Sequence, residues 1–274
     1  MKSHTTPLKL FLLGLFFAIL GMTTSVSAEP SETLTIAAAN SLREALRNVL
    51  PLFEAQYPHV SIRVVYGPSQ TLRDQIKQGA PVDVFLPSLF EEIEELDKKG
   101  LVIQDTKRVY AGTTLVLITN TDVPAPIGVI QDLHKTPIRR IAVGDPKTAS
   151  VGKVAAQFLK SSDLEPRLKS QYVYGEHSKA VLDLVANGEA EIGVVYRTDV
   201  GPNRKVRIID TAPAASHSPI RYGAATVWTS RNISAAKDFT EFLFTPQVHT
   251  QLEKYGFDRV PSSAGVAQRW EAPQ

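Results

Sequence analysis

The chain has 274 residues, 43% of them hydrophobic, enough for one large domain or two smaller ones with a sizeable core. Cysteine is absent, which excludes disulfides, thiol catalysis and Cys-ligated zinc. A formal charge of +2 is too small for a broad surface that would hold nucleic acid or anionic lipid.

At the N-terminus, Lys2 and Lys9 precede the apolar run LFLLGLFFAILGM, which is short for a membrane span. Val26 and Ala28 place small side chains at the −3 and −1 positions of a cleavage site before Glu29. Residues 1–28 therefore read as a secretory signal that is removed. Removal takes away two lysines and no acids, so the formal charge of the remaining chain is zero. No second long apolar run follows, so a soluble, exported protein is expected.

The first strand is LTIAAA. It leads into a helix whose apolar positions Leu42, Ala45, Leu46, Val49, Leu50 and Phe53 share one face. Ser41 and Glu44 form a capping-box pattern at its start, and Pro51 is expected to kink or divide it. VSIRVVY is the next strand, TLRDQIKQG a short helix closed by Gly79, and VDVFLP a buried strand. Ser88 with Glu91 reads as the cap of a helix that buries Phe90, Ile93 and Leu96 and stops at Gly100.

After the strand TTLVLIT, a turn-rich stretch opens a second series. RIAVGDP is a strand and loop, VGKVAAQFLKSS and KAVLDLVANG are helices, and AEIGVVY and YGAATVWTS are strands. The closing helical segment is interrupted near Pro246; Phe239, Phe242 and Leu243 face inward before the break and Leu252 after it. Strands alternating with helices at this pitch predict an α/β fold with mostly parallel sheets. The restart predicts two lobes. Residues 29–113 and 223–274 form the first, residues 114–222 the second, with hinges near Leu115 and Ala224.

Strand ends run repeatedly into small or hydroxyl residues: AAANSL, YGPSQTL, GDPKTASVGK and YGEHSKAV. Each serine or threonine could simply cap its own helix. Together, four such junctions could turn their N–H and O–H groups onto one small anion. Catalytic signals are poor by comparison. GPSQT around Ser69 falls one glycine short of a nucleophile elbow, and His177 is the one histidine beside a candidate loop. No phosphate-loop, dinucleotide, zincin or EF-hand pattern occurs, and Asp83 and Asp145 read as turn and strand-end residues. No catalytic residue is assigned and no enzymatic activity is expected.

Five stretches resemble the periplasmic molybdate-binding proteins of ABC transporters, within the type II two-lobed solute-binding proteins. They are AAANSLREAL, SQTLRDQIKQGAPVDVF, IAVGDPKTASVGKVAAQFL, GEAEIGVVYRTD and LEKYGF, in the family's order. The resemblance implies a tetrahedral oxyanion, molybdate or tungstate, held between the lobes by neutral donors. It places serine hydroxyls at Ser41 and Ser69, backbone N–H donors at Val151 and Ser178, and a tyrosine hydroxyl at Tyr196. Asn40, where alanine is common, is a possible additional donor. Ser150 stands where the family can have proline, and Ser178 where a hydrophobic residue can occur. The resemblance further implies a periplasmic monomer that serves a membrane-embedded ABC permease, with no cofactor, no direct metal ligand and no nucleic acid.

Other readings stay open. Molybdate, tungstate and sulfate only accept hydrogen bonds at neutral pH. Phosphate carries a proton and wants an acceptor, for which Asp145 or Glu176 would have to turn inward. Ferric iron would call on Tyr66, Tyr174 and Tyr196, and a secreted serine hydrolase on Ser41 or Ser69.

Overall fold

The computed structural model describes residues 32–201 and 205–260, so the leader reading of residues 1–28 lies outside the described residues. In chain order the first elements are β1 (Glu32–Ala39), α1 (Arg43–Gln56), β2 (Val60–Gly67), α2 (Ser69–Lys77), β3 (Val84–Leu86), α3 (Glu91–Asp97) and β4 (Arg108–Thr113). A second run follows with β5 (Leu115–Asn120), β6 (Ile141–Gly144), α4 (Ser150–Ser161), α5 (Glu165–Leu168), β7 (Tyr172–Gly175) and α6 (Ser178–Ala186). It continues through β8 (Ile192–Tyr196), α7 (Arg197–Val200) and β9 (Val206–Thr211). The last elements are β10 (Ile220–Thr226), α8 (Ile233–Phe242), α9 (Pro246–Glu253) and β11 (Asp258–Arg259).

These strands form two sheets flanked by helices, ordered β11-β4-β10-β3-β1-β2 and β7-β6-β8-β5-β9. β1 is buried from Leu34 onward because it has a strand on each side and helices over both faces. Leu34 and Ile36 belong to one core with Leu46, Val49 and Phe53 of α1, while Ala37 joins Leu72, Ile76, Ile93 and Leu96 of α2 and α3. The C-terminal segment returns to this body: Phe53 meets Phe239 and Phe242 edge-on, at ring distances of 5.1 and 5.3 Å. In the second body Val116 and Ile118 of β5 pack with Val181, Leu182 and Val185 of α6.

Three expectations are corrected. The sheets are mixed rather than mostly parallel. β1 runs parallel to β2 and β3, and β6 to β7 and β8, but β10 is antiparallel to β3 and β4, and β5 to β8 and β9. The cause is the crossing itself: β4 and β5 sit in different sheets with only Thr114 between them, and the returning β10 inserts between β3 and β4. Secondly, β10 contains Tyr222 and Ala224, so the second crossing lies in residues 212–219 and not at Ala224. Thirdly, α1 continues undivided through Pro51. Pro51 and Arg47, four residues back, are both exposed, so the carbonyl deprived of its donor lies on the solvent side of the helix.

Backbone contact positions one junction in particular. A Cβ placed on Gly144, at the end of β6, would lie 2.7 Å from the Gly152 nitrogen in the first turn of α4. Only glycine lets that helix start press against the strand end.

Candidate functional site

Six strand-to-helix junctions, three from each sheet, meet at one cavity of about 260 Å³, a volume that includes the open space at its mouth. Asn40, Ser41, Ser69, Val151, Ser178 and Tyr196 all line it, together with Ser88, Ser150 and His177. The parallel strands β1, β2, β6, β7 and β8 all point their carboxyl ends at this place, where open α/β sheets hold ligands.

Each junction is built locally. Ala37 to Ala39 end β1 with small buried side chains, and Asn40–Leu42 make a single 3-10 turn before α1. Ser41 does not close the expected capping box. Its Oγ accepts from Tyr222 Oη at 3.0 Å, while Glu44 pairs instead with Arg47. Tyr222 Oη lies 3.1 Å from Thr198 Oγ1, so a chain of hydroxyls joins α7 of the second sheet to Ser41 of the first. Ser69 opens α2, and its Oγ accepts from the Ser88 nitrogen at 3.1 Å. Ser88 therefore faces the cavity and is not the cap of α3. In both serines a protein donor occupies an oxygen lone pair, which leaves the hydroxyl proton to point elsewhere.

On the other wall, α4 begins at Ser150 and α6 at Ser178. The first N–H groups of each helix lack partners within the helix. His177 caps α6, its Nδ1 accepting from the Ala180 nitrogen at 3.1 Å. Ser178 Oγ donates to Asp199 Oδ1 at 2.8 Å, and the Tyr196 nitrogen donates to Asp199 Oδ2 at 3.0 Å. Asp199 so fixes two wall residues from behind. Burial pushes its pKa up to about 7, against the opposing pull of those two bonds. Tyr196 is buried and its Oη has no hydrogen-bond partner; Ser88 comes near it without the geometry of a bond. Burial, then Tyr222 and Asp199, hold that hydroxyl well above the usual tyrosine range, so it stays protonated and remains a donor.

No Asp, Glu, Lys or Arg lines the cavity. Asp145 turns back on its own loop, accepting from the Lys147 nitrogen at 2.8 Å, and Glu176 is not among the lining residues. Tyr174 is 54% exposed and lines a different cavity, and Tyr66 stacks under the Arg43 guanidinium, so Tyr196 is alone of the three tyrosines at this place. Among the described residues no group of His, Cys, Asp and Glu could hold a metal ion. Beside the cavity, buried Glu92 of α3 joins Arg73 of α2 at 2.6 Å and Lys153 of α4 at 3.0 Å, an ion pair that links helices of the two sheets.

Residues 34–258 match the bacterial extracellular solute-binding proteins. The chain belongs to that family. The Bacillus subtilis lipoprotein YvgL, whose name describes an ABC transporter substrate-binding protein, is 32% identical over 248 residues, covering 89% of this chain and 95% of that one. The molybdate-binding protein ModA of Haemophilus influenzae is 29% identical over 253 residues, covering 89% and 95%. Among solved structures, the substrate-binding domain of a molybdenum ABC transporter from Clostridium difficile superposes with a TM-score of 0.70 at 33% identity, covering 84% of this chain and all of that one. The fold is thus the type II two-lobed binding-protein fold, one sheet to each lobe.

Sequence reasoning missed Ser88, Ser150 and Tyr222. Ser88 did carry a signal: it follows a strand end by two residues, as Ser41 and Ser69 do. Tyr222 carried none, being 181 residues from Ser41.

Proposed function

We propose that this protein binds a fully deprotonated tetrahedral oxyanion, molybdate or tungstate, between its lobes and delivers it to a membrane-embedded ABC permease. The single observation that carries this reading is a small cavity walled by hydroxyls and helix N-termini, with no charged side chain on its surface. Such a wall offers donors and almost no fixed acceptors, which suits an anion that can only accept. The cavity is small, about 260 Å³ even with the open space at its mouth included, which suits a small anion. On this reading Ser41, Ser69, Val151, Ser178 and Tyr196 are the ligand-binding residues, Asn40 lines the cavity as an additional donor, and no cofactor takes part. The lobes move about Thr114 and residues 212–219, the protein works as a monomer, and residues 1–28 direct it to the periplasm.

Sulfate shares the acceptor-only chemistry and differs in size, so it is the second reading. Phosphate is disfavoured because no carboxylate lines the wall. Hydrolysis is disfavoured because neither Ser41 nor Ser69 bonds a histidine and the His177 Nδ1 is engaged in capping α6. Thermal melts across molybdate, tungstate, sulfate and phosphate test the proposal. A ligand at 100 times its Kd adds about 2.7 kcal/mol of stability. Molybdate and tungstate are expected to raise the melting temperature most; a shift with phosphate alone would refute the reading.

A further inference from the structure

Ser150 carries the strongest unassigned feature of the molecule. It is the first residue of α4, it is 5% exposed, and it lines the cavity. Its Oγ has no hydrogen-bond partner. A buried hydroxyl left without a partner is costly, so a fold that keeps one at a cavity wall offers it to whatever fills the cavity. Of the hydroxyls on this wall, only those of Ser150 and Tyr196 are buried and unpartnered. Ser41 and Ser69 already accept protein donors, Ser88 shares its hydroxyl with Ser69 at 3.2 Å, and Ser178 gives its proton to Asp199.

We propose that the Ser150 hydroxyl is a direct ligand donor, in addition to the N–H groups at the start of α4, and that the oxyanion is held by four hydroxyls, Ser41 and Ser69 from the first lobe and Ser150 and Tyr196 from the second. This rests on the oxyanion reading above. It makes α4 contribute a side chain as well as its backbone, and it gives each lobe the same number of hydroxyl donors. Ser150 is thereby an affinity-setting residue of the site rather than a spacer before Val151.

Two variants test it. Ser150→Ala removes the hydroxyl alone. Ser150→Pro removes it together with the Ser150 N–H, so it should weaken binding at least as much as Ser150→Ala, and the backbone allows the change: Ala149 is extended at φ −108°, ψ 126°, as a residue before proline must be, and the first position of a helix accepts proline. Calorimetric titration with molybdate is expected to show both variants binding about 10- to 150-fold more weakly than the parent, the range for one hydrogen bond to a charged group. Melts without ligand are expected to show Ser150→Ala no less stable than the parent, because it loses an unpartnered polar group. A parent that binds molybdate while both variants bind it equally well overturns the role of Ser150 and leaves the oxyanion reading standing. A parent that binds none of molybdate, tungstate, sulfate and phosphate overturns both. A lower ligand-free melting temperature for Ser150→Ala would show that the hydroxyl has a protein partner, which also contradicts the proposal.

Discussion

Tyr222→Phe isolates the hydroxyl chain behind Ser41. The ring stays packed, edge-on to Phe257 at 4.9 Å and to Tyr196 at 6.5 Å, so no cavity opens. Two bonds are lost: Tyr222 Oη to Ser41 Oγ at 3.0 Å and to Thr198 Oγ1 at 3.1 Å. Each is worth about 0.5 to 1.5 kcal/mol net, and Thr198 is left buried without this partner. Stability is expected to fall by about 1 to 3 kcal/mol, which for a domain of this size lowers the melting temperature by roughly 2 to 10 °C. Binding responds differently. With its lone pair released, Ser41 is free to turn its hydroxyl away from the cavity, so part of one donor's worth is lost. Molybdate affinity is expected to drop about 3- to 10-fold, taking 1.4 kcal/mol per decade. Calorimetry with molybdate, alongside ligand-free melts, measures both. A lower melting temperature with unchanged affinity would refute the orienting role and make Tyr222 a packing residue only.

Other variants separate further parts of the site. Tyr196→Phe should weaken molybdate binding about 10- to 150-fold without lowering the ligand-free melting temperature, since its hydroxyl has no partner to lose. Ser69→Ala should weaken binding by a similar factor but also lower that temperature, because the Ser88 nitrogen loses its acceptor; identical melts for the two variants would contradict this contrast. Lys153→Met cuts the ion pair between the lobes. Lys153 is 40% exposed, so the pair is worth no more than about 1 kcal/mol, and molybdate should dissociate up to about 5-fold faster, less so at high salt. An unchanged dissociation rate in stopped-flow would rule out the pair as a clasp. Asp199 gives a pH signature. Its folded pKa, about 7, lies above the ordinary value near 4, so the folded state holds the proton more tightly. That contribution is fully present below about pH 4 and is lost as pH rises through about 7. The melting temperature of the parent minus that of Asp199→Asn should therefore fall across this window; a flat difference would argue against a raised pKa.

Local signals carried much of this fold. The β1–α1, β2–α2, β6–α4 and β7–α6 junctions were legible because each combines an apolar run, small or hydroxyl residues and a helical period. What local signals cannot hold is register across the chain. The insertion of β10 between β3 and β4 makes the first sheet mixed, moves the second crossing, and brings Tyr222 to Ser41, and all three follow from long-range pairing. The same limit explains the capping patterns. Ser41 and Ser88 each stand at the right spacing from a glutamate, yet Tyr222 and Ser69 are better-placed partners in three dimensions. Pro51 was misread for a simpler reason: a helix tolerates proline on a face where water can serve the freed carbonyl. Glu92 is one of four glutamates in α3, and only tertiary packing shows it 1% exposed between two cations.

The central claim is that the cavity between the lobes binds a fully deprotonated tetrahedral oxyanion. Calorimetric titration of residues 29–274 with molybdate, with sulfate and phosphate titrated in parallel, tests it most directly. The account predicts one molybdate per chain and weaker or no binding of phosphate, whose proton finds no carboxylate on the wall. Heat with phosphate and none with molybdate, or no binding of any oxyanion, would contradict it.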